Sequence, residues 1–481
     1  MYGNSLGFAT RGLPLPASAS KQGAHPLFSS SLAAEAHGRL GRAASSHTCS
    51  DGYNPGMHEV PLLLLAALVF GYALLSRRAE KGIVSPPMVF AGAGLLFASF
   101  SDGLFSGEPP AVPEETLRFL AEVTLALTLF MDAARIDVSR LKRFHAEPVR
   151  MLLVGLPLSM LLGGVAAWLL FPPLGVAGAA VLGVILAPTD AALGKAVVSD
   201  RSVPQRVRQT LNVESGLNDG LAFPVLLIVV SFAAADGGRS LPGWGGFLAG
   251  QLILGPLVGL SVGFFGARAL RLANRRGWVE DAWLRLSSLA LVLLAYLGAE
   301  AIGGNGFIAA FCGGLAFGAA GGRGRRGEES DVSETETFGD AEGDLLSLVV
   351  FFLVGAVLLP DALGDAGWRH ALYAALSLTA VRMLPVALCL LGLGLKPVTL
   401  GFLGWFGPRG MASVIYLLLV RGEHDVPGEA DLTAAVLLTV AASILLHGVS
   451  ASPLSSWYAG RMEDGGGDRR EHREVTPHLT R

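Results

Sequence analysis

Long apolar runs separated by short polar intervals repeat from residue 59 to residue 455. Each run holds 17 to 25 residues, enough for a helix to cross a hydrocarbon layer of roughly 30 Å. Thirteen spans are predicted: roughly 59–76, 84–101, 115–134, 149–171, 174–198, 209–233, 244–267, 282–302, 305–321, 344–360, 371–395, 398–421 and 432–455. The expected fold class is therefore an all-α polytopic membrane protein with about 13 transmembrane helices.

Composition agrees with the pattern. The chain of 481 residues is 52% hydrophobic and only 16% charged, against about 25% charged in soluble domains. Cys49, Cys312 and Cys389 are widely scattered, which excludes a disulfide framework or a metal knuckle. No basic cluster with interleaved aromatics points to nucleic acid. Residues 1–56, rich in Ala, Ser, Gly and Pro, contrast with the rest. They are expected to be a disordered extension or an over-long start, rather than a transit peptide. The transporter domain is then 57–455, followed by a polar tail over 456–481.

The loops give an orientation. Alternate intervals hold twenty Lys and Arg residues, including Arg77, Arg140, Arg206, Arg275 and Arg325. The intervening ones hold only Arg118, Arg239, Arg369 and Arg421. This positive-inside bias puts residue 57 outside and the tail in the cytoplasm, which needs an odd number of crossings. The Gly-rich, charged stretch 322–342 reads as a flexible cytoplasmic loop.

Few ionisable groups fall deep in the spans. Asp190 lies in the fifth, Glu214 and Asp219 in the sixth, Arg382 in the eleventh and Arg409 in the twelfth. Each such charge costs about 2.5–3.5 kcal/mol at a helix centre, so partners or a function are required. In "NVESGLNDG", Glu214 and Asn218 share one helical face, while Ser215 and Asp219 share the next. An oxygen-rich patch without Cys or His suits a hard monovalent cation. A desolvated carboxylate there can hold a cation or a proton in turn.

Helix breakers sit beside two of these charges. Pro188 precedes Thr189 and Asp190, while Gly407, Pro408 and Gly410 bracket Arg409. Both spans are expected to unwind there, and backbone of that kind is tolerated at depth only in a cavity or inside protein. Broken helices running in opposite senses in the fifth and twelfth spans indicate an inverted-repeat transporter. Asp190 would compensate positive half-helix ends and Arg409 negative ones, with carbonyls freed near Thr189 available to a cation.

The motifs "APTDA", "NVESGLNDG", "VRMLP", "GWFGPRG" and "LLHGVSASPL" resemble, in order, those of monovalent cation:proton antiporters of the sodium/proton exchanger (NhaP/NHE-like) branch. The similarity extends over residues 59–458 and includes "LFMDAARID" and "GNGFIAAFCGGLAFG". It implies core helices over about 149–233 and 371–455, with scaffold or dimer helices over about 59–134 and 244–360. It also implies a homodimer and an elevator-like motion. Asp219 would be the ion- and proton-binding carboxylate, with Ser215 and the Thr189 backbone as cation ligands and Asp190 as a further member of the ion- and proton-binding set. Glu214 would be salt-bridged to Arg382, with Asn218 and Arg409 in supporting roles. Many relatives carry proline after the Thr–Asp pair, where this chain has Ala191.

The expected function is exchange of one monovalent cation (sodium first, lithium or potassium next) for one proton, electroneutral, without a cofactor. The expected setting is a bacterial plasma membrane. His447 is expected to be a packed or hydrogen-bonded residue, and Asp132 an interfacial charge near Arg135. One rival reading is an intramembrane aspartyl protease using Asp190 and Asp219 as a dyad, although the sequence contexts typical of such enzymes are missing. The other is a cation channel, which would need repeated acid or carbonyl rings from several subunits.

Overall fold

The computed structural model describes residues 59–79, 84–104, 114–134, 146–233, 241–321, 343–423 and 428–463. All regular structure among them is helical. In chain order the helices are α1 Glu59–Ala79, α2 Pro86–Leu104, α3 Glu114–Ala134, α4 Ala146–Leu170, α5 Gly175–Ile185 and α6 Ala191–Ser199. Next come α7 Gln205–Ala233, α8 Leu241–Arg275, α9 Asp281–Ala301, α10 Gly306–Gly321 and α11 Gly343–Gly364. The last five are α12 Trp368–Leu378, α13 Ala380–Cys389, α14 Pro397–Trp405, α15 Met411–Glu423 and α16 Glu429–Glu463.

Each predicted span overlaps helix among the described residues, the fifth, eleventh and twelfth with non-helical stretches inside them. Seven stretches among the described residues are long and apolar enough to cross a membrane, and five shorter apolar helices accompany them. Two single turns of wider π geometry interrupt α4 at Met151–Gly155 and α11 at Val354–Leu358. The expected extension 1–56 and the loop 322–342 lie outside the described residues. The tail expected from 456 is helical as far as Glu463, because α16 continues through Pro453.

Both expected interruptions are present. The fifth span unwinds after Ile185 and resumes at Ala191, and the twelfth unwinds after Trp405 and resumes at Met411. Pro188 and Pro408 each lack an amide and push the preceding residue out of the helical region. A third break, not anticipated, falls at Thr379 and separates α12 from α13.

Three helices lie against one another almost backbone to backbone. A side chain on Gly259 or Gly263 of α8 would occupy the space of the Ala309 or Gly313 carbonyl on α10. One on Gly314 or Gly318 of α10 would meet the Phe130 or Ala134 carbonyl on α3. Small residues four apart allow this approach, which gains dispersion contacts where lipid offers no hydrophobic drive. The helices carrying the breaks form a second set: α5 packs on α4 and α7, and α16 packs on α6, α12 and α15. Helix α7 touches both sets, contacting α3 and α10 as well as α5 and α6.

Candidate functional site

The two interruptions cross, and polar side chains close the exposed half-helix ends. The Asp190 amide donates to the Pro408 carbonyl at 2.8 Å, tying one interruption to the other. Its carboxylate caps two helices together. Oδ1 accepts from the Leu193 amide of α6 at 3.0 Å, and Oδ2 accepts from the Met411 amide of α15 at 2.7 Å. Helix N-termini carry unsatisfied N–H groups and partial positive charge, so an acid suits both. Gly410 leaves the room this needs, because a Cβ there would collide with the Asp190 carboxylate.

Arg409 performs the opposite service for α5. Its Nη1 donates to the Ala187 carbonyl at 2.5 Å and to the Pro188 carbonyl at 3.1 Å. Ser413 adds a bond to the Ile185 carbonyl at 2.8 Å. The Arg409 amide is held by Ser443 Oγ of α16 at 2.7 Å. His447, one turn further along α16, is buried, with Nε2 2.8 Å from the Trp405 carbonyl at the end of α14 and Nδ1 against Ser443. It is therefore a hydrogen-bonded interior residue.

A second network lies beside the crossing. Arg382 Nη1 and Nη2 each donate to one oxygen of Glu214 at 2.8 Å, with both side chains only 1–2% exposed. Bidentate, charge-assisted geometry of this kind is the strong form of the interaction. The guanidinium runs against Gly407, where any Cβ would strike it. Thr189 Oγ1 lies 3.0 Å from Ser215 Oγ and 3.4 Å from Glu214 Oε2, and accepts from Asn218 Nδ2 at 2.6 Å. Thr189, Glu214, Ser215, Asn218 and Arg382 thus form one buried polar cluster spanning the fifth, sixth and eleventh spans.

Asp219 stands apart from both networks. It is half-buried, and its Oδ1 is buried with no hydrogen-bond partner among the described residues. Its main-chain carbonyl accepts from the Tyr416 hydroxyl at 2.8 Å. A narrow cleft between α6 and α7, lined by Gly194, Val197, Val198, Leu211, Asn212, Ser215 and Phe406, reaches Ser215, one turn before Asp219.

Asp132 was underrated from sequence. It sits in the last turn of α3 and faces α7 at Gly216, whose Cβ would lie 3.5 Å from that of Asp132. Arg135, its expected neighbour, lies outside the described residues. Only the absence of a side chain at Gly216, one turn before Gly220, could have hinted at this approach. Tyr416 carries no sequence signal at all.

Half-helix pairs that cross at a buried acid and a buried arginine define the class of secondary transporters built on interrupted membrane helices. The family model described as sodium/hydrogen exchanger, transmembrane, matches residues 58–457, and the chain belongs to that family. Similar proteins include Na(+)/H(+) antiporter 2 of Zygosaccharomyces rouxii, 25% identical over 69% of this chain and 45% of the relative. Another is the K(+)/H(+) antiporter NhaP of Alkalimonas amylolytica, 25% identical over 82% of this chain and 66% of the relative. The chain spans about half the length or less of the yeast relatives it matches. Among solved structures, the sodium proton antiporter MjNhaP1 of Methanocaldococcus jannaschii at pH 8 matches with a TM-score of 0.65. That match has 21% identity and covers 84% of this chain and 99% of the other.

Proposed function

We propose that this protein exchanges a monovalent cation for a proton, the two ligands competing for the Asp219 carboxylate. The observation that carries the reading is a contrast among the deep carboxylates. Among the acids, both oxygens of Glu214 are held by Arg382 and both of Asp190 by backbone amides, whereas Asp219 Oδ1 has no hydrogen-bond partner among the described residues. A carboxylate oxygen desolvated in this way is costly unless a proton or a cation satisfies it. Ser215 and Thr189, in the neighbouring buried cluster, supply further oxygens for a dehydrated alkali cation, and Asp132 adds negative charge from the facing helix.

Membership of the exchanger family and relatives named as sodium or potassium antiporters support the same reading. Sodium is the first choice of cargo, with lithium and potassium as alternatives. With Glu214 held by Arg382, one exchangeable charge remains, so one cation moves against one proton without net charge. The Arg-rich helix ends would face the cytoplasm of a bacterial cell, and the chain would work as a homodimer. A protease dyad gains no support, since both Asp190 oxygens are engaged by amides rather than by Asp219.

The test is proton flux in inverted membrane vesicles on addition of each alkali cation. Wild type is expected to respond to at least one cation, and Asp219→Asn to none. Full activity in Asp219→Asn would falsify the assignment.

A further inference from the structure

One turn beyond Asp219, helix α7 carries Phe223 and Pro224. Pro224 has no amide, so the Gly220 carbonyl loses its usual helical donor. Gly220 also lacks a side chain, and the Phe311 ring of α10 fills the space a Cβ would need. The Phe223 ring centre lies 4.8 Å from that of Phe307 and 5.6 Å from that of Tyr416. Phe307 in turn lies 5.1 Å from Tyr296, edge to face. Phe223, Phe307 and Tyr416 are at most 3% exposed.

The origin of these rings matters. Phe223 and Tyr416 belong to α7 and α15, on the side of the crossed breaks, while Phe307 and Tyr296 belong to α10 and α9, on the side of the glycine-packed helices. The layer therefore bridges the two sets of helices. Polar groups resume on both sides of it. On α7, Asp219 lies one turn before Phe223 and Ser215, at the cleft, two turns before it, while beyond Phe307 the Tyr296 hydroxyl faces Glu122 at 3.4 Å. A thin apolar layer between two polar zones is a barrier to a bare ion, which would have to shed its water there.

We propose that Phe223, Phe307 and Tyr416 form the coupling seal of the site. Resting on the exchange reading above, the seal bars a cation from passing between Asp219 and the Ala233 end of α7 except by exchange. Tyr416 has a second task as a positioning residue, because its hydroxyl fixes the main-chain carbonyl of Asp219. Removal of the rings uncouples transport, and removal of the hydroxyl alone weakens cation binding.

The experiment reads proton flux by a trapped pH dye and cation flux by sodium or rubidium tracer in the same proteoliposomes of full-length protein. Wild type is expected to give one constant ratio of proton to cation flux over a range of cation gradients. In the Phe223→Ala/Phe307→Ala variant the ratio falls several-fold, because cation leaks without a proton. Tyr416→Phe keeps the wild-type ratio and raises the half-saturating cation concentration about fivefold, as for one lost hydrogen bond. An unchanged ratio in monodisperse double variant overturns the seal, and unchanged half-saturation in Tyr416→Phe overturns the positioning role. Should the double variant fail to reconstitute, Phe307→Ser alone is expected to lower the ratio, and an unchanged ratio there also overturns the seal. Absence of any exchange in wild type would instead refute the parent reading.

Discussion

Arg382, three residues past the break at Thr379, grips both carboxylate oxygens of Glu214 at 2.8 Å inside the bundle. Removing one partner strands the other as a buried charge, which costs about 3–5 kcal/mol. Arg382→Met is therefore expected to lower the thermal unfolding temperature in detergent sharply. Glu214→Gln combined with Arg382→Met should recover most of that loss. Equal destabilisation in the single and double variants would show that the pair is not the source.

Asp190 offers a graded comparison. Asparagine retains one acceptor oxygen and alanine none, and a lost cap costs about 0.5–2 kcal/mol. Asp190→Ala should destabilise more than Asp190→Asn in the same unfolding assay. Asp190→Asn should also keep measurable exchange while Asp219→Asn keeps none. Identical, complete loss in both asparagine variants would point back to a shared dyad.

Competition for one carboxylate fixes a sign for pH. Protons added at low pH must be displaced by cation, so the half-saturating cation concentration rises as pH falls. The rise should approach about tenfold per pH unit on the acidic side, the slope for one linked proton. Cation-dependent flux measured between mildly acidic and alkaline pH checks this. A half-saturating concentration that ignores pH would remove the competition.

The glycine-packed helices predict an asymmetry in tolerance. Gly259→Ala and Gly314→Ala already force a Cβ into neighbouring backbone, so the folded yield should collapse. At Gly71 and Gly92 a Cβ meets nothing within 4 Å, so Gly71→Ala and Gly92→Ala should be accepted. Fluorescence-detected gel filtration of the four variants separates the two outcomes.

How much of this was readable before the structure depended on the kind of physics involved. The helices and both interruptions were legible, because apolar run length and proline chemistry act locally. The capping partnership of Asp190 and Arg409 with the broken ends followed from helix dipoles, once the breaks were placed. The Glu214–Arg382 contact came from family resemblance, since helical spacing alone does not choose a partner 168 residues away. Asp132 and Tyr416 escaped because their importance rests on which face of α7 meets α3 and α15. The break at Thr379 escaped because it has no proline or glycine to mark it. The α8–α10–α3 packing was written in glycines four apart, yet it becomes informative only when the facing carbonyl is known.

The double cap at Asp190 also has a consequence in time. The amide that completes it belongs to Met411, 221 residues later in the chain. At a synthesis rate of about 5–20 residues per second, the ends of α5 and α6 wait roughly 10–45 seconds before their last partner exists. Through that interval the first half of the crossing must be sheltered by the insertion machinery or by α4 and α7. The heart of this protein is thus among the last parts of it to be finished.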